Sequence, residues 1–299
     1  MHLLLRELLR PYSWTVIDST PRVDQAVNAV KSGLAFLIIL DDSVDVPVTG
    51  HLRNLICDPV TSIVPTLAFA SDSAHNDRKA LSWFGAHQVV DKPLTPSKFL
   101  PGFQHLVKRW ESQPYVTLRK ASYALMSGAD DVAIQVLDKL RTLGPIQGVA
   151  TRCLATHVLR RGNIREAESM LLDSLKQEPR DLSTMVALGD LYMNAAMPKL
   201  AYRLFLGARN AYSSSLAVLP DLVQSSLMLG QMDDAITFLY QMHRENFMPQ
   251  ITGRYLSRLL FSQGREAEAE KVLNNNRVAL EKLRKSWHNA ESQPLAAAS

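Results

Sequence analysis

Long hydrophobic runs are missing from this chain of 299 residues. Its longest apolar stretch, Leu34 to Leu40, falls far short of the roughly 20 residues that cross a bilayer. Cysteine is scarce. The two present, Cys57 and Cys153, stand far apart with no metal-ligand spacing around them, which excludes a disulfide scaffold and a zinc site. They read as free thiols of a reducing cytoplasm. An excess of charge of one sign is also lacking, with 33 basic against 29 acidic residues and no basic run longer than Lys108–Arg109 or Arg160–Arg161. A nucleic-acid binder concentrates cations on one stripe to displace counterions, so no nucleic-acid partner is expected. No glycine-rich phosphate loop, nucleophile elbow or paired-histidine zinc motif occurs, and the eight histidines are scattered, so no enzyme is expected. The first ten residues are interrupted by Arg6 and Glu7 and lead to no small-residue cleavage site, unlike a signal peptide. These absences predict a cytoplasmic protein with no membrane insertion.

What is present is a period. Glycine followed five residues later by alanine recurs at Gly128/Ala133, Gly162/Ala167, Gly230/Ala235 and Gly264/Ala269, at multiples of about 34 residues, and the missing member falls on Ala196/Ala201. This register predicts five units without insertions: 114–147, 148–181, 182–215, 216–249 and 250–283. Position eight reads Ala121, Ala155, Gly189, Val223 and Ser257, and the position four after the alanine reads Leu137, Leu171, Phe205, Leu239 and Leu273. Small residues at the first set let two helices approach closely, apolar residues at the second fill the space between hairpins, and the glycine takes the positive φ of the turn. Pro220 would break helix A of the fourth unit unless that helix starts there, after the Ser213–Ser214–Ser215 connection. Asp130 and Asp131 read as a helix cap, and residues 285–299 as a helical extension and disordered tail.

The period and its residues resemble the tetratricopeptide repeat, most closely in the third unit through Leu188–Gly189, Tyr192, Ala201, Phe205 and Ala208. The resemblance implies an all-α superhelix that binds a protein or peptide along the groove lined by positions two, five, nine and thirteen of each helix A. The groove residues are then Arg152, Arg160, Asp190, Asn194, Gln224, Arg254 and Arg258, with Tyr115, Met126 and Met228 beside them. Four arginines against one acid suit an acidic helix or extended peptide, although a solvated face with local ion pairs fits the same residues.

Residues 1–110 have a different pattern. Candidate strands Thr15–Ser19, Phe36–Leu40, Val64–Ala70 and Gln88–Val90 alternate with helices Leu3–Leu9, Val23–Lys31, Leu52–Ile56, Lys79–Phe84 and Ser97–Trp110. Such alternation predicts a parallel sheet covered on both faces, with Trp14, Trp83 and Trp110 packing its helices. Four places resemble the receiver domain of bacterial response regulators: Ile38–Ile39–Leu40–Asp41–Asp42, Ile63 to Leu67, Gly85–Ala86, and Asp91–Lys92–Pro93–Leu94. The fold this implies is an α/β, flavodoxin-like doubly wound parallel sheet.

By that resemblance the protein is a two-component response regulator whose repeats are the output. A sensor histidine kinase or phosphotransfer protein would phosphorylate Asp41, or its neighbour Asp42. Asp41 would also hold Mg2+, and Lys92 and Ser71 would read the phosphate. Three departures bear on this. Ser71 lies one residue beyond the expected place, which Ala70 holds, and Val89 stands at the aromatic switch position. The first strand, with the acidic pair that completes the Mg2+ site, has no counterpart, so the expectation is a segment upstream of Met1 that encodes it. The alternative is a phosphorylation-independent scaffold with a degenerate pseudo-receiver.

Overall fold

A computed structural model describes residues 2–12, 23–32, 37–41, 48–56, 58, 61–70, 78–211, 216–245, 247 and 249–273. These form two compact units, Met1–Val218 and Leu219–Ser299. No helix among the described residues is long and apolar enough to cross a membrane.

The first unit begins with the α/β part. Strands β1 (Ile38–Leu40), β2 (Thr66–Ala70) and β3 (Gln88–Asp91) form a parallel sheet in the order β1-β2-β3. Ile39 pairs with Leu67 and Ala68 with Val89 across the two ladders. All five residues of β2 are buried, as expected of the middle strand of a parallel sheet covered on both faces. On one face, helix α1 (His2–Leu9) and helix α5 (Pro96–Trp110) close over Leu67, Phe69 and Val90 with Leu5, Leu9, Phe99, Phe103 and Leu106. Phe99 stacks on Phe103 at 5.5 Å, and each such fully buried ring stabilises by roughly 1.5–3 kcal/mol. Helices α2 (Val23–Lys31), α3 (Val48–Ile56) and α4 (Arg78–Trp83) complete this part. The expected strand Thr15–Ser19 lies outside the described residues.

Helical hairpins follow: α6 (Gln113–Met126) with α7 (Asp130–Leu140), α8 (Gln147–Arg160) with α9 (Ile164–Gln177), and α10 (Leu182–Asn194) with α11 (Pro198–Ala211). The second unit adds α12 (Leu219–Met228) with α13 (Met232–Arg244) and α14 (Pro249–Ser262) with α15 (Glu266–Val272). Each hairpin turns on a residue of positive φ: Gly128 at 81°, Gly162 at 82°, Ala196 at 55°, Gly230 at 71° and Gly264 at 72°. Ala196 therefore adopts the turn conformation that its place in the period demands, although its Cβ disfavours it. The five alanines that follow, Ala133, Ala167, Ala201, Ala235 and Ala269, are all buried. Gly189 shows why position eight must be small: a Cβ there would sit 2.4 Å from the ring of Phe205. Pro220 falls in the first turn of α12, where its missing N–H has no partner to lose.

Two expectations change. Trp110 packs not in the core of the sheet but with Tyr115, Leu118, Leu137 and Leu140 in the core of the first repeats. Asp130 and Asp131 are first-turn residues of α7 rather than its cap, and Asp130 pairs with Arg161. The extension expected at 285–299 lies outside the described residues.

Candidate functional site

The sheet places two of the expected phosphorylation residues together. Asp41 follows β1 and Lys92 follows β3, so both emerge at the carboxyl edge on either side of β2. There Lys92 Nζ meets Asp41 Oδ1 at 2.6 Å, with the two side chains about a third exposed. The Lys92–Pro93 bond is cis. Ala70 ends β2 and is buried, and Val89 is buried within β3. Asp42 and Ser71 lie outside the described residues. No cluster of three or more metal-ligating side chains occurs among the described residues.

The groove residues fall into two groups. In the first three repeats, the A helices α6, α8 and α10 are covered by the protein's own α/β part. Helix α3 lies against α10 and the turn Leu216–Val218, and the tight turn Thr61–Ile63 lies against α6. Thr61 holds that turn in shape, its hydroxyl donating to Leu55 O at 2.8 Å and its N–H to Asp58 Oδ1 at 3.2 Å. Beyond it, Ile63 is 1% exposed and joins the core built by Tyr115, Leu118, Ile146, Ala150 and Cys153. Ser62 Oγ lies 3.9 Å from Cys153 Sγ, and burial pushes the Cys153 thiol up to about 11. Arg53 of α3 reaches Asp190 of α10, Nη2 to Oδ1, at 2.6 Å. An intended partner contact, Asp190, is thereby engaged from within.

Arg152 is likewise not offered to solvent. Its Nη1 donates to Asp181 Oδ2 at 2.8 Å and to Thr184 Oγ1 at 3.2 Å. Asp181 caps α10 at the same time by accepting from the N–H groups of Ser183 and Thr184. Arg160 and Asn194, at the far ends of their helices, are exposed.

In the second unit the pattern differs. Gln224 on α12 and Arg254 and Arg258 on α14 are exposed, and neither arginine has a carboxylate partner among the described residues. Ile251 and Tyr255 stand beside the two arginines on the same helix, 49% and 57% exposed, and Met228 on α12 is 50% exposed. The spacing Ile251, Arg254, Tyr255, Arg258 is that of one helical face.

Sequence reasoning missed Arg53, Ile63 and Asp181. Only Asp181 carries a local signal, standing as an aspartate directly before the helical pattern of the third unit.

No family model matches the chain, and no curated protein matches it. Solved structures of MamA are similar to part of it. A MamA mutant matches 57% of this chain and 97% of its own at 17% identity and a TM-score of 0.41. MamA MSR-1 matches 58% and 98% at 16% and 0.41, and MamA AMB-1 56% and 96% at 18% and 0.42.

Proposed function

We propose that the protein is a protein-interaction adaptor whose partner docks on the A-helix face of the last two repeats. The single observation that supports this reading is the contrast between the two sets of A helices. In the first three repeats α3 and the Thr61–Ile63 turn cover part of that face, while α14 leaves Ile251, Arg254, Tyr255 and Arg258 exposed on one face. An apolar pair flanked by two guanidinium groups with no carboxylate partner among the described residues suits an amphipathic helix with acidic residues beside its apolar stripe. The test is selection of binding peptides on the full chain, followed by affinity measurements on variants. Binding lost in Tyr255→Ala and Arg258→Glu but kept in Arg160→Glu is the expected result. Retention in Arg258→Glu would sink the assignment.

A second reading, the phosphorylation-dependent response regulator, draws on the Asp41–Lys92 pair. Here a histidine kinase or phosphotransfer protein modifies Asp41, the added charge displaces Lys92, and α3, the next described element after Asp41, passes the change to the repeats. Acetyl phosphate labelling of the wild type and of Asp41→Asn separates the readings. Label that vanishes in the variant favours the switch, and no label in either leaves the constitutive adaptor.

A further inference from the structure

Within the first unit a cavity of about 730 Å3 lies where the α/β part meets the repeats. Ser62, Ser82 and His87 come to it from the α/β part, and Arg109, Arg152 and Arg180 line the rest with Glu178 and Asp181. We propose that this cavity binds a small phosphorylated molecule, its phosphate held by Arg109, Arg152 and the imidazole N–H of His87.

Three arginines and two carboxylates line this cavity. Asp181 is committed to Arg152, Thr184 and the first turn of α10. Arg152 itself is 8% exposed, and its buried Nε has no acceptor among the described residues. Arg109 stands 5.2 Å over the ring of Tyr115 and donates to the Tyr115 hydroxyl at 2.8 Å, so its charge meets no carboxylate among the described residues.

His87 is set as a donor. Its Nδ1 accepts the Thr66 N–H at 3.2 Å, which places the ring proton on Nε2. The rings of Trp110 and Tyr115 fix it edge-on, each with centroids 6.4 Å away. Burial, and then the positive charges of Arg109 and Arg152, hold its pKa down to about 4.

The first turn of α8 adds donors. Gly148 and Val149 line the cavity, and no side chain caps that helix. Its uncapped N–H groups and the positive end of its dipole favour an anion. Gly148 leaves room there: a Cβ would come to 3.0 Å from Asp181 Oδ2 and 3.3 Å from Arg152 Nη1. Guanidinium, imidazole and amide donors together outnumber what a carboxylate accepts and match the three terminal oxygens of a phosphate. The volume is that of an organic ligand rather than of inorganic phosphate, and falls in the usual range of about 300–1,000 Å3 for ligand sites. Since the lining comes from both the sheet side and the repeats, occupancy stabilises their docked arrangement by mass action.

The test uses the full chain, with inorganic pyrophosphate and ADP as probes in calorimetry and thermal unfolding, against sodium chloride of equal ionic strength. At least one probe binds and raises the unfolding midpoint above the salt control. Arg109→Gln and Ser82→Glu, both at exposed positions, weaken that binding roughly tenfold, as loss of a charge-assisted hydrogen bond does. Lys139→Glu, at an exposed position of α7 outside the cavity, leaves it unchanged. Absence of binding of either probe at millimolar concentration overturns the proposal, as does equal binding by wild type, Arg109→Gln and Ser82→Glu.

Discussion

Helix α8 of the second repeat and helix α14 of the fifth are both A helices of one 34-residue pattern, and they end in different environments. In α8, six consecutive residues from Ala150 to Ala155 are buried, which on a helix means cover on every side. In α14, Leu256, Ser257 and Leu260 are buried while Ile251, Arg254, Tyr255 and Arg258 are exposed, the one-sided burial of a helix with a free face. The repeat pattern itself fixes only the side that packs on helix B and on the neighbouring hairpin. What covers the other side is decided elsewhere, here by α3 and the Thr61–Ile63 turn over the first three repeats. The A-helix faces of the two sets of repeats therefore differ chemically.

The strongest way to break this comparison is Ile63→Ala. Ile63 belongs to the α/β part by sequence and to the core of the first repeats by packing. Truncation of a fully buried isoleucine costs about 2–5 kcal/mol. If cover by the α/β part is integral to the first repeats, their helical signal unfolds at lower denaturant together with the sheet. Separate transitions, with the helices unshifted, would show instead that the cover is incidental.

A smaller effect compares position eight in the two sets. Gly189→Ala drives a methyl into the ring of Phe205, which is itself fully buried, and overpacking of this kind costs about 1–3 kcal/mol. The helix propensity gained by alanine offsets at most about 1 kcal/mol of that. Ser257→Ala removes a hydroxyl that, among the described residues, donates only to Arg254 O, and should change the urea midpoint little. Equal midpoints for the two variants would refute the close approach of α10 and α11 at Gly189.

The period made much of this fold legible. Because the turn recurs every 34 residues, Ala196 could be assigned the conformation of the glycines around it, and it adopts φ 55°. The continuous apolar run ending at Leu40 likewise marked β1, and the Asp41–Lys92 pair was readable from residues that end strands. The cover on the first three repeats was not legible. Arg152 looks like a groove residue because nothing local says that Asp181, 29 positions on, will take its guanidinium. Trp110 closes a helix of the α/β part, yet its ring packs with Tyr115 and Leu118 because α6 begins only three residues later. Long-range partners of this kind leave no periodic trace.

The smallest effects sharpen the comparison at single ion pairs. Arg53 is 12% and Asp190 32% exposed at the side chain, so their pair is half-shielded from solvent. A double-mutant cycle with Arg53→Gln and Asp190→Asn should return a coupling of about 1 kcal/mol, the upper end of the range for pairs at a surface. Arg254 and Arg258 have no carboxylate to couple to among the described residues, so Arg254→Gln and Arg258→Gln should each shift stability by less than about 0.5 kcal/mol. Retained stability with altered binding is what separates a surface held open for a partner from one already filled. If instead either glutamine variant lost as much stability as Arg53→Gln, the free face of α14 would be part of the folded core, and the difference between the two sets of repeats would disappear.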